Sequence, residues 1–484
     1  MRQRGIARSQ SLLLLAALVG MGCSLALTIL AGRTMRAADF GVFALVATIF
    51  SLARDATDLG TTALACRDTA RDPASEVAAI EDLLAWRLVP CALIALACLA
   101  IGWRRGDGAQ MLLFAATGLV ILYAHNNALF AVFQARQLQH VPARIVIVTQ
   151  AATLAVALCG IAVGGMTAHV VLFLPALIVL REVAAIAWSR RAAIRLLGAT
   201  PRARLSRDRL SRVFLGGISL YALAALCLQV VLNSGTFLLD LLARPADLGV
   251  YAAAFRPMTP LFGLCWLLAA PLSPVLSYCA IHRPDDFARQ VARAAALALG
   301  AGAVLAATGV LLAPDIMRIF YGTAVDARAA TCLAWLMPAL PATAMLAILS
   351  PAMLARGRER MLTGVAAGAV LLCIGILPAM IAARGPVGAA IAITATLALA
   401  GLALVAILRP RLSLLAASLL PALVAALLLR TLLATFADAP WPRIAAGAIV
   451  ATAALLALWF APGMRAYRRE QDAAALLVGA AGGG

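Results

Sequence analysis

Apolar residues run along this chain in long unbroken stretches rather than alternating with polar ones. About 20 such residues are needed to cross roughly 30 Å of hydrocarbon as a helix. Stretches of that length recur from one end of the sequence to the other, rich in Leu and Ala, which excludes the two-residue alternation of a membrane β-barrel. The pattern predicts fourteen transmembrane helices, near residues 11–31, 39–60, 83–103, 111–133, 144–164, 168–189, 213–239, 249–279, 294–313, 328–354, 361–383, 386–408, 413–435 and 443–461. The expected fold class is an all-α polytopic membrane protein.

The polar connections carry a charge asymmetry that tests this count. All 40 basic residues are arginine. If the N-terminus is cytoplasmic, alternate connections hold 26 of them on the inside and 9 on the outside. The remaining five, Arg54, Arg87, Arg181, Arg256 and Arg430, fall within spans. That skew follows the positive-inside rule and predicts fourteen helices with both termini cytoplasmic. A missed helix would invert every connection after it.

A nine-residue segment recurs. Arg36-Ala37-Ala38-Asp39-Phe40-Gly41-Val42-Phe43-Ala44 returns 208 residues later as Arg244-Pro245-Ala246-Asp247-Leu248-Gly249-Val250-Tyr251-Ala252. Six positions are identical and a seventh is aromatic in both. Both copies fall at the start of the second helix of a six-helix set, where Asp39 and Asp247 suit helix N-caps. The repeat predicts two parallel six-helix lobes plus two C-terminal helices. The expected organisation is residues 1–189 as an N-terminal lobe, 190–212 as a basic cytoplasmic linker and 213–408 as a C-terminal lobe. Residues 409–461 hold the two additional helices, and 462–484 form a cytoplasmic tail. Paired repeats of this kind suit a transporter.

Charges at membrane depth are costly and nominate functional positions. Arg54 and Asp58, four apart, can share a helix face with Asp55 between them. Arg87 and Arg430 lie near span ends, where their stems can snorkel. Arg181 adjoins Glu182. Arg256 has no acid within one helical turn, which makes it the leading candidate to meet an anionic substrate. Asn126, beside His125 and Asn127, and Asn233, beside Ser234, add uncharged polar groups, as do Gln150 and Gln229. Candidate substrate-binding residues are therefore Arg256, Arg54, Arg181, Asn126 and Asn233, with Asp55 and Asp58 as candidate ion-coupling carboxylates. The arginine excess in the spans favours a cargo such as a diphosphate, because guanidinium matches phosphate oxygens in pairs.

Composition narrows the classes further. The chain is 64% hydrophobic and 13% charged, with mean hydropathy +0.98; a soluble domain could not bury that surface. The net charge of +19 therefore meets anionic lipid headgroups rather than nucleic acid. The four His make no metal-ligand spacing and the ten Cys no CxxC pair, so neither a metal nor a cofactor is expected. Arg2, Arg4 and Arg8 before Ser11–Ala31 resemble a signal peptide, but the six-helix repeat requires this segment as a retained first helix. Short outer loops and the lack of a DxD pair argue against a glycosyltransferase or polymerase, so no enzyme is expected.

Several stretches resemble one transporter family in the right order. Gly249-Val250-Tyr251-Ala252-Ala253-Ala254-Phe255-Arg256, followed by Pro271 and Pro274, is similar to the seventh-to-eighth helix region of polysaccharide flippases. So are Ala313-Pro314-Asp315-Ile316-Met317-Arg318-Ile319-Phe320-Tyr321-Gly322 and Gly385-Pro386-Val387-Gly388-Ala389-Ala390-Ile391-Ala392. Gly32-Arg33 through Leu59-Gly60 resembles the first two helices. The family is the polysaccharide transporter (Wzx-like) branch of the multidrug/oligosaccharidyl-lipid/polysaccharide exporter superfamily. The resemblance implies two lobes around a central cavity, alternating access, an inner-membrane location and a polyprenyl-diphosphate-linked oligosaccharide as cargo. A polysaccharide polymerase and export machinery are then the expected protein partners. A cation-coupled multidrug exporter, supported by Asp55 and Asp58, and a lipid II flippase remain open alternatives within the superfamily.

Overall fold

In a bilayer each backbone N–H and C=O must find its partner inside its own segment, which leaves continuous apolar sequence one solution, the helix. The computed structural model describes residues 2–58, 76–136, 138, 140–163, 170–203, 220–269, 272–322, 326–435 and 439–460. All regular elements among them are helical. The first are α1 (Arg2–Thr34), α2 (Ala37–Asp58), α3 (Glu76–Arg105), α4 (Gly108–Tyr123), α5 (Phe130–Ala135), α6 (His140–Val163) and α7 (Val170–Leu197). A 3₁₀ segment, Ala124–Leu129, joins α4 to α5. There follow α8 (Leu220–Leu242), α9 (Pro245–Ala269), α10 (Leu272–His282), α11 (Pro284–Tyr321), α12 (Ala327–Leu336) and α13 (Ala339–Ala355). The last are α14 (Glu359–Leu408), α15 (Leu412–Ser418), α16 (Leu420–Thr435) and α17 (Pro440–Phe460). The expected tail, 462–484, and the second part of the expected linker, 204–212, lie outside the described residues. The first part of that linker continues α7 as helix through Arg190, Arg191 and Arg195.

Twelve of the described helical stretches are long and apolar enough to cross a membrane. One of them, α14, holds two crossings. Its 50 residues are interrupted at Gly385, where φ 56 and ψ −133 lie outside helical space. In a straight helix Met380 and Gly388 would stand roughly 12 Å apart; here the Gly388 Cα lies against the Met380 carbonyl. The chain therefore reverses into a helical hairpin with arms 359–384 and 386–408, and a side chain at 388 would occupy the space of that carbonyl. With α9, whose 25 residues include Asp247, Arg256 and several prolines, the helices reach the expected fourteen. Leucines and isoleucines such as Leu112, Leu119, Leu371, Leu402 and Ile449 point outward from the bundles. That surface would aggregate in water and is matched by lipid. The chain is a multi-pass α-helical membrane protein.

The chain forms two compact units, Met1–Gln229 and Val230–Gly484. In the first, α3 packs along α4, α1 along α6, and α7 against α2, α4 and α6. Its core joins Leu83 and Leu84 of α3, Val132 and Phe133 of α5 and Ala193 of α7. In the second, α11 packs along α13, and α13 and α9 pack on the α14 hairpin. These pairings mirror the α3–α4, α4–α7 and α2–α7 pairings of the first unit. The sequence repeat is matched in backbone detail. Met35 N–H donates to Ala31 O at 2.9 Å, and Ala243 N–H to Leu239 O at 3.0 Å, 208 positions on. In both copies a two-residue break follows, and α2 and α9 then start at Ala37 and Pro245. The helices α3 and α11, starting at Glu76 and Pro284, keep the same offset.

The two helices beyond the repeat dock on α11. Leu312 packs with Leu429 of α16 and with Ala446 and Val450 of α17. Arg443 of α17 lies 3.3 Å from Asp315, a buried carboxylate in the α11 turn that follows Pro314.

Candidate functional site

The polar residues at membrane depth gather into separate groups. In the first unit the last turn of α2 carries Arg54, Asp55 and Asp58. The 3.6-residue period places Arg54 and Asp58 on one face, but they do not pair. Asp58 instead forms an ion pair with Arg87 of α3. Arg54 lies 3.7 Å from Asp55, with 74% of its side chain exposed, and Gln229 Nε2 of α8 donates to Asp55 at 2.7 Å. The Arg87 side chain is 4% exposed, so it does not snorkel as expected. An arginine enclosed by neighbouring helices cannot reach a headgroup and needs a carboxylate to offset desolvation.

A second group joins α6 and α7. Arg181 donates to Glu182 at 2.6 Å and to Gln150 at 3.1 Å. Its side chain is mostly buried, so the neighbour in sequence is also its partner in space. Nearby in sequence, the polar run His125-Asn126-Asn127 coincides with the 3₁₀ break between α4 and α5. Asn126 Nδ2 donates to Tyr123 O at 2.9 Å, and His125 Nδ1 lies 2.8 Å from Leu122 O. These side chains compete with the helical ladder for carbonyls, which is how such residues end regular α-helix. Asn126 is buried and spends at least one donor on its own segment.

In the second unit Arg256 lies on α9, with the Tyr321 hydroxyl at the end of α11 close enough to interact electrostatically. The helix starts four residues earlier than the sequence suggested, so Arg256 stands eleven residues in, roughly 16 Å along the axis. That is close to the middle of α9. Pro257 and Pro260 remove two amide donors from the turn that carries it, which adds polarity there. One turn earlier, Tyr251 stacks on Phe255 with ring centroids 5.5 Å apart. Asn233 on α8 is buried, and the neighbouring Ser234 Oγ lies 3.2 Å from Cys373 Sγ of α14. Arg430 of α16 is exposed, as a snorkelling side chain requires.

This changes the electrostatics expected from sequence. Of the five arginines in spans, Arg87 and Arg181 are neutralised by close carboxylates. Arg54 is exposed, and its contact with Asp55 is longer than a hydrogen bond.

Sequence reasoning missed three ties between distant segments. Arg136, after α5, holds Glu76 at 2.6 Å and Leu196 O at 2.7 Å. Arg328 of α12 bridges Asp247 at 2.8 Å and Asp326 at 2.7 Å, and it holds the Asp326 carboxyl below the usual carboxylate range. Arg443 reaches Asp315. Apart from Arg328–Asp326, two residues apart, no local spacing signals these pairs. Asp247 and Asp39 are also not N-caps: they stand within the first turns of α9 and α2, still at the positive end of the dipole.

A family model described as polysaccharide biosynthesis protein matches residues 6–279. Among curated proteins none matches the sequence significantly. Solved structures share the fold at low identity. A lipid II flippase MurJ in an inward closed conformation is 13% identical, with TM-score 0.68 over 93% of this chain and 98% of that one. A MOP superfamily transporter from Pyrococcus furiosus, reported with a binding pocket of reverse polarity, is 16% identical, with TM-score 0.58 over 85% and 96%. An inward-facing multidrug resistance MATE family transporter of the MOP superfamily is 16% identical, with TM-score 0.59 over 82% and 98%.

Proposed function

Because the chain belongs to the polysaccharide biosynthesis protein family and has the fold of MOP superfamily transporters, we propose that it is a flippase for a polyprenyl-diphosphate-linked oligosaccharide. It moves this lipid across the inner membrane by alternating access, for surface or exopolysaccharide assembly. The arginine skew supports cytoplasmic termini. A polysaccharide polymerase and export machinery would take the product onward.

The observation that carries this reading is the position of Arg256, eleven residues into the 25-residue α9. Guanidinium stays charged where an ammonium would lose its proton, and it binds two phosphate oxygens at once. Arg54 offers a second, exposed guanidinium in the other unit. Arg181, Asn126 and Asn233 support rather than lead, since Arg181 and Asn126 already bond within their own unit and Asn233 is buried.

The test is Arg256→Ala in a cell whose surface polysaccharide depends on this protein. Export falls at least about a hundredfold while the membrane-inserted amount is unchanged, and Arg256→Lys keeps part of the activity. Full polysaccharide output from Arg256→Ala would contradict the assignment. The multidrug alternative rests on Asp55 and Asp58 as coupling carboxylates. In the first unit these are engaged by Gln229 and Arg87, an arrangement that suits ion pairing better than exchange of a free cation.

A further inference from the structure

Four arginines converge at one end of the second unit. Arg289 lies in the early turns of α11, Arg356 follows α13, and Arg409 and Arg411 flank Pro410 between α14 and α15. With the Phe287 ring they line a cavity of about 290 Å³. No carboxylate is among its lining residues. Asp286, beside it, pairs with Arg289, which offsets one of the four charges and leaves the cavity strongly positive.

Two of the arginines are held in place, one by a ring contact and one at a strained backbone position. Arg356 sits 4.7 Å over the centroid of the buried Phe287 ring. Stacking uses the face of the guanidinium and keeps its in-plane N–H groups for a ligand. Arg409 has φ 48, and is the single non-glycine residue with positive φ among those described. It ends α14 as a left-handed cap, its N–H donating to Val405 O at 2.8 Å. Glycine is the common residue there, because a Cβ is strained in that conformation. The strained position sets an arginine in the cavity wall.

The surroundings specify the kind of anion. The cavity is built from the ends of membrane-spanning helices, which is headgroup level. Beside it α15 and α16 present exposed Leu412, Leu419, Leu420 and Leu423, a surface suited to acyl chains. We infer that this cavity binds the phosphodiester headgroup of an anionic membrane lipid, independently of the transported cargo. Free phosphate shares the charge but has no use for the leucine surface.

The test uses the purified full chain, delipidated in a neutral detergent, with thermal unfolding followed as phosphatidylglycerol, phosphatidylcholine or inorganic phosphate is added. Phosphatidylglycerol raises Tm saturably and phosphatidylcholine does not. Arg356→Gln/Arg411→Gln weakens the phosphatidylglycerol response at least about tenfold, since each basic residue near an anionic headgroup is worth roughly fivefold. Arg190→Gln/Arg191→Gln, on α7, leaves it unchanged. Arg409→Gly guards against a folding artefact: it relieves the strained cap, so it is at least as stable without lipid yet responds less to phosphatidylglycerol. Equal responses to the two lipids, or equal losses in the α7 control, would overturn the site. Inorganic phosphate that saturates at the lipid's concentration and displaces it would overturn the lipid as occupant.

Discussion

An arginine at hydrocarbon depth can stay charged by reaching headgroups with its long stem or by taking a carboxylate with it. Arg430, exposed on α16, suits the first route, and Arg87 and Arg181 take the second. The charged positions themselves were legible from the sequence, because ionisable residues stand out in apolar runs. Their pairing was not. Helical spacing nominates Arg54–Asp58, yet Asp58 goes to Arg87, 29 residues along, because the enclosed arginine loses most by remaining unneutralised. Asp58 is 43% exposed, so the pair is worth less than a fully buried one. Asp58→Leu should lower stability by about 2 kcal/mol, and Arg87→Leu/Asp58→Leu should recover most of that loss. Unfolding of the purified variants in detergent would measure both; a double variant as unstable as the sum of its singles would show that the pair is not coupled.

Helix positions followed closely from the apolar runs, since the bilayer leaves little choice of element. What the runs concealed were the interruptions. The hairpin in α14 depends on Gly385 with positive φ and on Gly388 against the Met380 carbonyl, and both lie within the Gly385–Ala392 stretch read first as a family resemblance. Its physical meaning is a reversal so tight that one Cβ would block it. Gly388→Ala should cost about 3 kcal/mol or more and cut the yield of folded, monodisperse protein, whereas Gly364→Ala, a position with open space around it, should be tolerated. Equal yields would mean that the arms can part without penalty. The 3₁₀ break at Ala124–Leu129 was visible only as a polar run, because the sequence shows which side chains compete for carbonyls but not which carbonyls they take.

For the molecule as a whole, the nine-residue repeat proved the most informative segment. Its 208-residue offset recurs in backbone hydrogen bonds, in the starts of α2 and α9 and of α3 and α11, and in the helix pairings within each unit. The last two helices, outside the repeat, are tied to α11 through apolar packing and Arg443–Asp315, a partnership between residues too far apart for any local pattern to reveal. The repeat and the family agree with the proposed transport role, and the arginines argue for the proposed cargo. The most direct measurement is translocation in proteoliposomes carrying the purified protein and a labelled polyprenyl-diphosphate oligosaccharide, with accessibility of the sugar to an external enzyme as the readout. The account predicts protein-dependent movement of the label across the bilayer, lost in Arg256→Ala. No movement of the lipid-linked sugar, together with cation-gradient-driven export of a cationic drug by the same vesicles, would contradict it.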